Sequence, residues 1–511
     1  MMAPLGTLPP ALGFLACAHT GAGAAPPGPV ATRALHAEAG GALSAQILSA
    51  TVLHGPGTDP GRAWTRAGDT VVVVAGEFYN QDELRSVLPG SPACDSDAEL
   101  LAALFDRYDL HAFRLVNGRF AAVVASGARL CAATDHAGSV PLYLRPAPGD
   151  IRIATEAKAL AAQGSPRGPA LPGTRRVPGL PGVHQVPAGT VLELAVDSAD
   201  GSLHRTWEPP SARRILSEDV ACRAVRGALE RAVERRLAVG TKPLVVLSGG
   251  IDSSAVAALA AAHGPLDTLS MGTDLSDEFP QAEVVARHLA TDHSELVIPM
   301  DALLRRLPYT VWAAETLDAD IVEYLLPLVG LYRGLPDTPR RVLTGYGADI
   351  PLAGMHREDR LPQLDTAVAH DMATFDGLNE MSPVLAAVHG HWTSHPYWDR
   401  DVLDLLVGLE AGLKRRHGRD KWVLRAAMTD LLPEETVTRP KLGVHEGSGV
   451  SVAFTRLLSD NGVPDRDIAT AKTLVVRELF DRTVAEGGHP DQVSGESAIH
   501  AALRRLRQGA A

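Results

Sequence analysis

The segment Ser248-Gly249-Gly250-Ile251-Asp252-Ser253-Ser254 follows directly on the apolar run 243–247, PLVVL. Two adjacent glycines let backbone amides approach an anion with no Cβ in the way, and a helix opening at Ser253 adds its positive end, so the segment reads as a phosphate cradle. It lacks the GxxxxGK[ST] pattern of the loops that hold a terminal phosphate for transfer. Asp252 could hold magnesium, but magnesium demands octahedral oxygen ligands and rarely relies on a single carboxylate. The best second acid is Asp349, because VLTGYGADIP (342–351) repeats the arrangement of short apolar strand, glycine turn and aspartate. A glycine turn with a helix-capping aspartate would explain either segment alone, and the two together argue for a nucleotide and a metal. Lys441 in RPKLGVHEG and Lys421 in GRDKWVL are candidate cations for such phosphate oxygens. A solvated lysine is the ordinary alternative for each.

These residues need elements to position them. SEDVACRAVRGALERAVERRL (217–237) has helical periodicity, PLVVL is a buried strand, and a helix follows the glycine loop. Strand 266–272, helix 279–290 and strand 293–300 continue a strand-helix alternation that predicts a parallel sheet covered on both faces, with ligands at the carboxyl ends of its strands. Beyond Asp349 the pattern is mostly helical. The first two hundred residues carry short apolar runs at 71–80, 119–126 and 189–196 and one clear helix at 97–110, which predicts stacked strands. The Pro/Gly-rich stretch 164–182 reads as an irregular surface connection, and 189–196 as the closing strand of a first domain. The expected division is 1–208 and 209–511, near Pro209-Pro210.

The 511 residues are too many for one hydrophobic core, so two domains are expected, or three. With 48 basic against 60 acidic residues the net charge is −12, which repels phosphate backbones and anionic bilayers; neither nucleic acid nor a membrane is an expected partner. The amino terminus has its first basic residue at Arg33 and is broken by prolines, unlike a secretory signal. Cys17, Cys94, Cys131 and Cys222 are widely separated, with no metal-ligand spacing, and read as reduced thiols of a cytoplasmic protein.

SGGIDSS and TGYGAD, followed by RPKLGVHEGSG (439–449), resemble the asparagine synthetase B superfamily, whose loop splits ATP between its α and β phosphates. GEFYNQDEL (76–84), SDAELL (96–101), VNGRFAAVV (116–124), ATDHAGSVPLY (133–143) and ATEAKAL (154–160) resemble that family's glutamine amidohydrolase domain. The resemblance implies an α/β protein: an N-terminal αββα sandwich of the Ntn type, then a parallel-sheet ATP pyrophosphatase domain with a helical C-terminal part. Two features depart from the family. The chain starts Met1-Met2-Ala3 rather than with a nucleophilic cysteine, Leu12 stands near that position and Cys17 lies too late; Ala75 replaces the asparagine expected before Gly76-Glu77. No glutaminase activity is therefore expected.

Within the superfamily, GYGADIPLAGMHREDRLP (345–362) and HDMATFDGLNEMSP (370–383) are similar to the β-lactam synthetases of clavulanic acid biosynthesis, which also lack the glutaminase chemistry. That resemblance implies ATP as cosubstrate, Mg2+, and a carboxyethyl-arginine substrate that is adenylated and closed by its own amine to deoxyguanidinoproclavaminate. It further implies Tyr346 and Glu380 as the deprotonating pair beside Lys441, and nucleotide contacts from Leu247, Ser248, Gly249, Gly250, Asp252, Ser253, Ser254, Met271, Thr344, Gly345 and Lys421. Asp252 and Asp349 would hold the metal, while Asp371 and Tyr324 would face the guanidinium tail of the substrate. A carbapenam synthetase-like enzyme, an ammonia-using amide former of the asparagine synthetase type and an inactive ATP-binding scaffold remain the alternatives, and a homodimer stays open.

Overall fold

The computed structural model describes residues 8–19, 38–44, 48–55, 57–147, 149–161, 170–211, 213–214, 216–237, 242–336, 340–356, 363–375, 381, 383–440 and 448–509. Two antiparallel sheets stack in the first half. One contains β1 (Gly13–His19), β2 (Glu38–Ser44) and β3 (Leu48–His54); the other begins with β4 (Trp64–Ala67) and β5 (Thr70–Phe78). Three helices follow, α1 (Gln81–Ser86), α2 (Asp97–Tyr108) and α3 (Ala112–Leu115), then β6 (Gly118–Ser126) and β7 (Arg129–Thr134). The half ends with β8 (Tyr143–Ala147), β9 (Asp150–Ala154), β10 (Arg175–Arg176), β11 (His184–Gln185), β12 (Thr190–Ala195) and β13 (Gly201–Arg205). Strand order is β10-β11-β8-β9-β1-β3-β2 in the first sheet and β13-β12-β7-β6-β5-β4 in the second.

Period-two alternation sends side chains to two different cores. Phe14, Ala16, Val71, Val73, Val123 and Leu192 fill the space between the sheets. Val72, Val74, Ala122 and Val124 turn to the outer face and pack on α2, whose N-cap Ser96 accepts from the Glu99 amide. On the far side of the first sheet Leu15 and Tyr143 pack against helices of the second half, so that half supplies the other helical layer of the αββα arrangement.

The second half carries α4 (Glu218–Glu234), β14 (Leu244–Val246), α5 (Ile251–Ala261), β15 (Asp267–Thr273), α6 (Phe279–Leu289) and β16 (Asp292–Ile298). Next come α7 (Met300–Leu304), α8 (Leu307–Ala314), α9 (Ala319–Gly334), β17 (Arg341–Leu343), α10 (Leu364–Thr374) and β18 (Trp392–Ser394). Its sheet runs β16-β15-β14-β17-β18, and every pairing is parallel. Beyond its first turn helix α5 is Ala, Val and Leu, and it is buried over most of its length, as a helix lying on a parallel sheet must be.

The region beyond Asp349 is mostly helical, as expected, and returns one strand, β18, to the sheet; Trp-Thr-Ser is too short and too polar to show as one. Two expectations need correction. The Pro/Gly-rich stretch buries Leu171, Val177 and Leu180 and pairs β10 with β11, so its described part is anchored rather than superficial. Strand β12 does not close the first sheet system, because β13 forms a hairpin beyond it. No helix among the described residues is long and apolar enough to cross a membrane.

Candidate functional site

Because the sheet is parallel, the residues after β14, β15, β17 and β18 all emerge at one edge. Ser248 follows β14. Its amide and hydroxyl both meet the Ser253 hydroxyl, at 3.1 and 3.0 Å, so the glycine loop is closed on the first turn of α5. Gly249 has φ of +69° and backs onto Gln281 of α6, where a Cβ would fall 2.5 Å from a backbone carbon. Gly345, after β17, lies against the other flank of the loop: a Cβ there would stand 2.4 Å from the Ser253 amide nitrogen. Only a glycine allows the two turns this approach.

That approach brings Asp252 and Asp349 to a common cation. Lys421 Nζ pairs with Asp349 Oδ1 at 2.8 Å and with Asp252 Oδ2. The lysine side chain is fully buried, while the carboxylate side chains keep 17% and 25% of their exposure, so the acids open towards solvent from behind a buried ammonium. Burial alone would discharge the lysine, but the two carboxylates outweigh it and hold its pKa above the usual value. Two oxygen-only ligands that retain solvent access suit a hard cation that keeps waters and takes phosphate oxygens, as magnesium does. Among the described residues no group of three or more His, Cys, Asp or Glu is gathered as a metal cage.

Tyr346 occupies the next turn. Its amide donates to Thr344 Oγ1 at 3.2 Å, and its ring lies 5.3 Å edge-on from His395 and 6.4 Å from Tyr324 of α9. His395 Nδ1 lies 2.7 Å from Thr344 Oγ1, and burial, with Arg119 and Arg236 nearby, holds the imidazole far below its ordinary pKa. Ring and hydroxyl thus form a neutral, fixed wall beside Tyr346. Leu247 is buried, with its amide donating to the Leu269 carbonyl and its carbonyl accepting from Ser270 Oγ, whereas Met271 on β15 stays partly exposed. Ser253 and Ser254 are buried in α5.

The structure therefore brings together Ser248, Gly249, Gly250, Asp252, Ser253, Gly345, Asp349 and Lys421, and separately groups Thr344, Tyr346 and Tyr324. Asp371 of α10 faces His356, with Nε2 at 2.6 Å from its carboxylate. Glu380 and Lys441 lie outside the described residues. Sequence reasoning overlooked three contributors. Tyr397, fully buried, donates to the Asp252 carbonyl at 3.1 Å; His395 braces Tyr346; and Arg439 pairs with Glu278 while its other arm reaches the Ser248 carbonyl at 3.5 Å. Only Arg439 carried a local signal, as the first residue of RPKLG.

Residues 224–382 and 369–502 match the Asparagine synthase family, and residues 49–162 match the Glutamine amidotransferase domain. Over 509 residues the chain is 61% identical to a carboxyethyl-arginine beta-lactam-synthase of Streptomyces clavuligerus, covering 99% of both proteins. The chain belongs to the β-lactam synthase family. More distant relatives include a glutamine-hydrolysing asparagine synthetase of Arabidopsis thaliana, 25% identical with 84% of this chain and 78% of that protein covered. Another, from Triphysaria versicolor, is 25% identical over 74% of this chain and 66% of that protein. In this chain the thiol of β1 is unsuited to nucleophilic work: the backbone of Cys17 is paired on both sides within the sheet, and burial, then Asp150, push its pKa up to about 11.

Proposed function

We propose that the chain closes the β-lactam ring of carboxyethyl-arginine at the expense of ATP. The observation that carries this reading is the full-length likeness to the carboxyethyl-arginine beta-lactam-synthase, 61% identical over 99% of both chains. The chain is an ATP-dependent carbon–nitrogen ligase. A substrate carboxylate oxygen attacks the α phosphorus of ATP, breaking the bond to pyrophosphate and leaving an acyl-adenylate. The secondary amine of the same molecule, once deprotonated, attacks the acyl carbon; AMP leaves with the carboxylate oxygen, and the lactam remains. Holding both reacting groups in one folded substrate replaces a bimolecular encounter, worth several orders of magnitude in effective concentration.

In this reading the amides of the Ser248–Gly250 turn and the opening of α5 bind the pyrophosphate, with Lys421 behind them, and Leu247, Met271, Thr344 and Gly345 line the nucleotide. Asp252 and Asp349 hold Mg2+, which when bound neutralises phosphate charge during adenylation. Tyr346 and Glu380 accept the amine proton: a phenol with a pKa near about 10 needs a carboxylate partner to act as a base. Lys441 balances the charge that gathers on the acyl oxygen, and Tyr324 with Asp371 receives the guanidinium end. The protein works in the cytoplasm, and its two halves divide near residue 209.

The test is incubation with ATP, Mg2+ and carboxyethyl-arginine labelled with oxygen-18 in its carboxylate, without glutamine or ammonia. A product lighter by one water, with the label carried into AMP, is the expected result; recovery of unchanged substrate under conditions where ATP binds would refute the reading. Ammonium with aspartate replaces carboxyethyl-arginine in the control arm, and amide formation there would favour an asparagine synthetase-type enzyme.

A further inference from the structure

We infer that Arg119, a residue of the sandwich half, is a positioning residue for ring closure: it fixes the two chain segments that flank Tyr346 and Glu380, through the carbonyls of Met381 and Thr393. This rests on the assignment of Tyr346 and Glu380 as the deprotonating pair.

Arg119 on β6 stands directly across from Glu77 on β5. On the other side Arg341 of β17 stands in register with Trp392 of β18. These two cross-strand pairs interlock. Glu77 takes both arms of Arg341, at 2.9 and 2.5 Å, and accepts from Trp392 Nε1 at 2.8 Å. The Arg119 guanidinium lies over the Trp392 ring at 4.4 Å. One of its arms donates to the Thr393 carbonyl and, at 3.0 Å, to the Thr393 hydroxyl; the other donates to the Met381 carbonyl.

The two anchored segments are the ones that matter. Met381 directly follows Glu380 in the chain. Thr393 directly precedes Ser394, whose carbonyl accepts from the Thr344 amide at 3.1 Å and whose hydroxyl meets Tyr79 of the sandwich at 3.2 Å. Thr344 in turn holds the Tyr346 amide. A single planar group with a rigid fork therefore sets the spacing between the chain next to Glu380 and the strand that braces Tyr346. Lysine, a flexible point charge, could not do this.

Docking alone would not require such a group. Arg119 is 3% exposed, and removing a guanidinium from water is costly where an apolar contact would join two domains as well. Its placement is explained if what must be conserved is a distance between two segments rather than mere adhesion. Glu77 belongs to the GEFYN segment that resembles the glutaminase motif, so the degenerate amidotransferase half retains a function as a jig for the synthetase half.

Arg119→Lys and Tyr79→Phe in the full chain test this, with unfolding midpoints measured alongside. Two rates are compared in the presence of carboxyethyl-arginine, ATP and Mg2+: exchange of labelled pyrophosphate into ATP, which reports adenylation, and appearance of lactam, which reports closure. Misplacement by a fraction of an ångström should lower lactam kcat about 10- to 100-fold in Arg119→Lys, with exchange and the KM for ATP held within about 2-fold. Tyr79→Phe, which loses one hydroxyl contact, should shift the ratio in the same direction by about 3-fold. A purely structural arginine would lower both rates together, and equal loss, or an unchanged ratio in the folded variants, overturns the role. If Arg119→Lys does not fold, Thr393→Val, which removes the hydroxyl that accepts from Arg119 at 3.0 Å, takes its place in the same comparison, and an unaltered ratio there overturns the role. Wild-type protein that neither exchanges nor closes would overturn the functional reading, and the positioning role with it; a working wild type with an unaltered ratio in the variants overturns the role alone.

Discussion

Replacing Lys421 by methionine keeps the length of the side chain and removes the charge that Asp252 and Asp349 share. The ammonium is fully buried and the two carboxylate side chains are only 17% and 25% exposed, so solvent cannot fully replace it. Breaking a buried ion pair typically costs about 3–5 kcal/mol, and here two like charges are left facing one another; the partial exposure of the acids argues for the lower figure, about 3 kcal/mol. At about 2–4 °C per kcal/mol, the variant should melt about 6–12 °C below wild type in the presence of a chelator. Millimolar magnesium should then raise the variant more than the wild type, because a divalent ion can take over the oxygens that the lysine has left. Calorimetry or dichroism at both metal levels measures this. A variant within about 1 °C of wild type in chelator would refute the idea that Lys421 clamps the two loops. Equal response of both proteins to magnesium would refute the carboxylate pair as its site.

Gly345→Ala should abolish ATP binding in equilibrium dialysis with secondary structure retained, since its methyl would sit 2.4 Å from the Ser253 amide nitrogen and push the loop off the turn. Lys441→Ala should lose lactam formation while still binding ATP; retained turnover would show that another cation does the work. Lys414 is fully buried with Nζ on the Val407 carbonyl at 3.0 Å, and burial, then Arg213, push its pKa down to about 7. The unfolded chain therefore binds a proton that the native state lacks between about pH 7 and 10.5, and wild type gains stability through this group as pH rises across that window. Lys414→Met lacks that gain, so its advantage over wild type should shrink by up to about 4 kcal/mol from pH 7 to pH 10; parallel stability curves for the two proteins would contradict this.

Much of the site was legible because its signals are local. An apolar run, two glycines and an aspartate are neighbours in the chain, and their backbone freedom and charge act within a few residues; hence the loop after β14 and the turn before Asp349 could be read directly, as could the strand-helix alternation around them. What escaped depended on partners far apart in sequence. The pairing of Lys421 with Asp252 spans 169 positions, β18 is three residues long, and His395, Tyr397 and Arg119 look like ordinary core or surface residues in their own stretches. Their roles arise only when parallel pairing carries β14, β17 and β18 to a common edge and the sandwich packs its Glu77 and Arg119 onto that sheet. Local chemistry, written in adjacent residues, determined that this chain turns a glycine loop next to an acid at the end of a strand. The through-space distances of strand order and domain packing decided which lysine ties the acids together and which arginine joins the Met381 and Thr393 carbonyls.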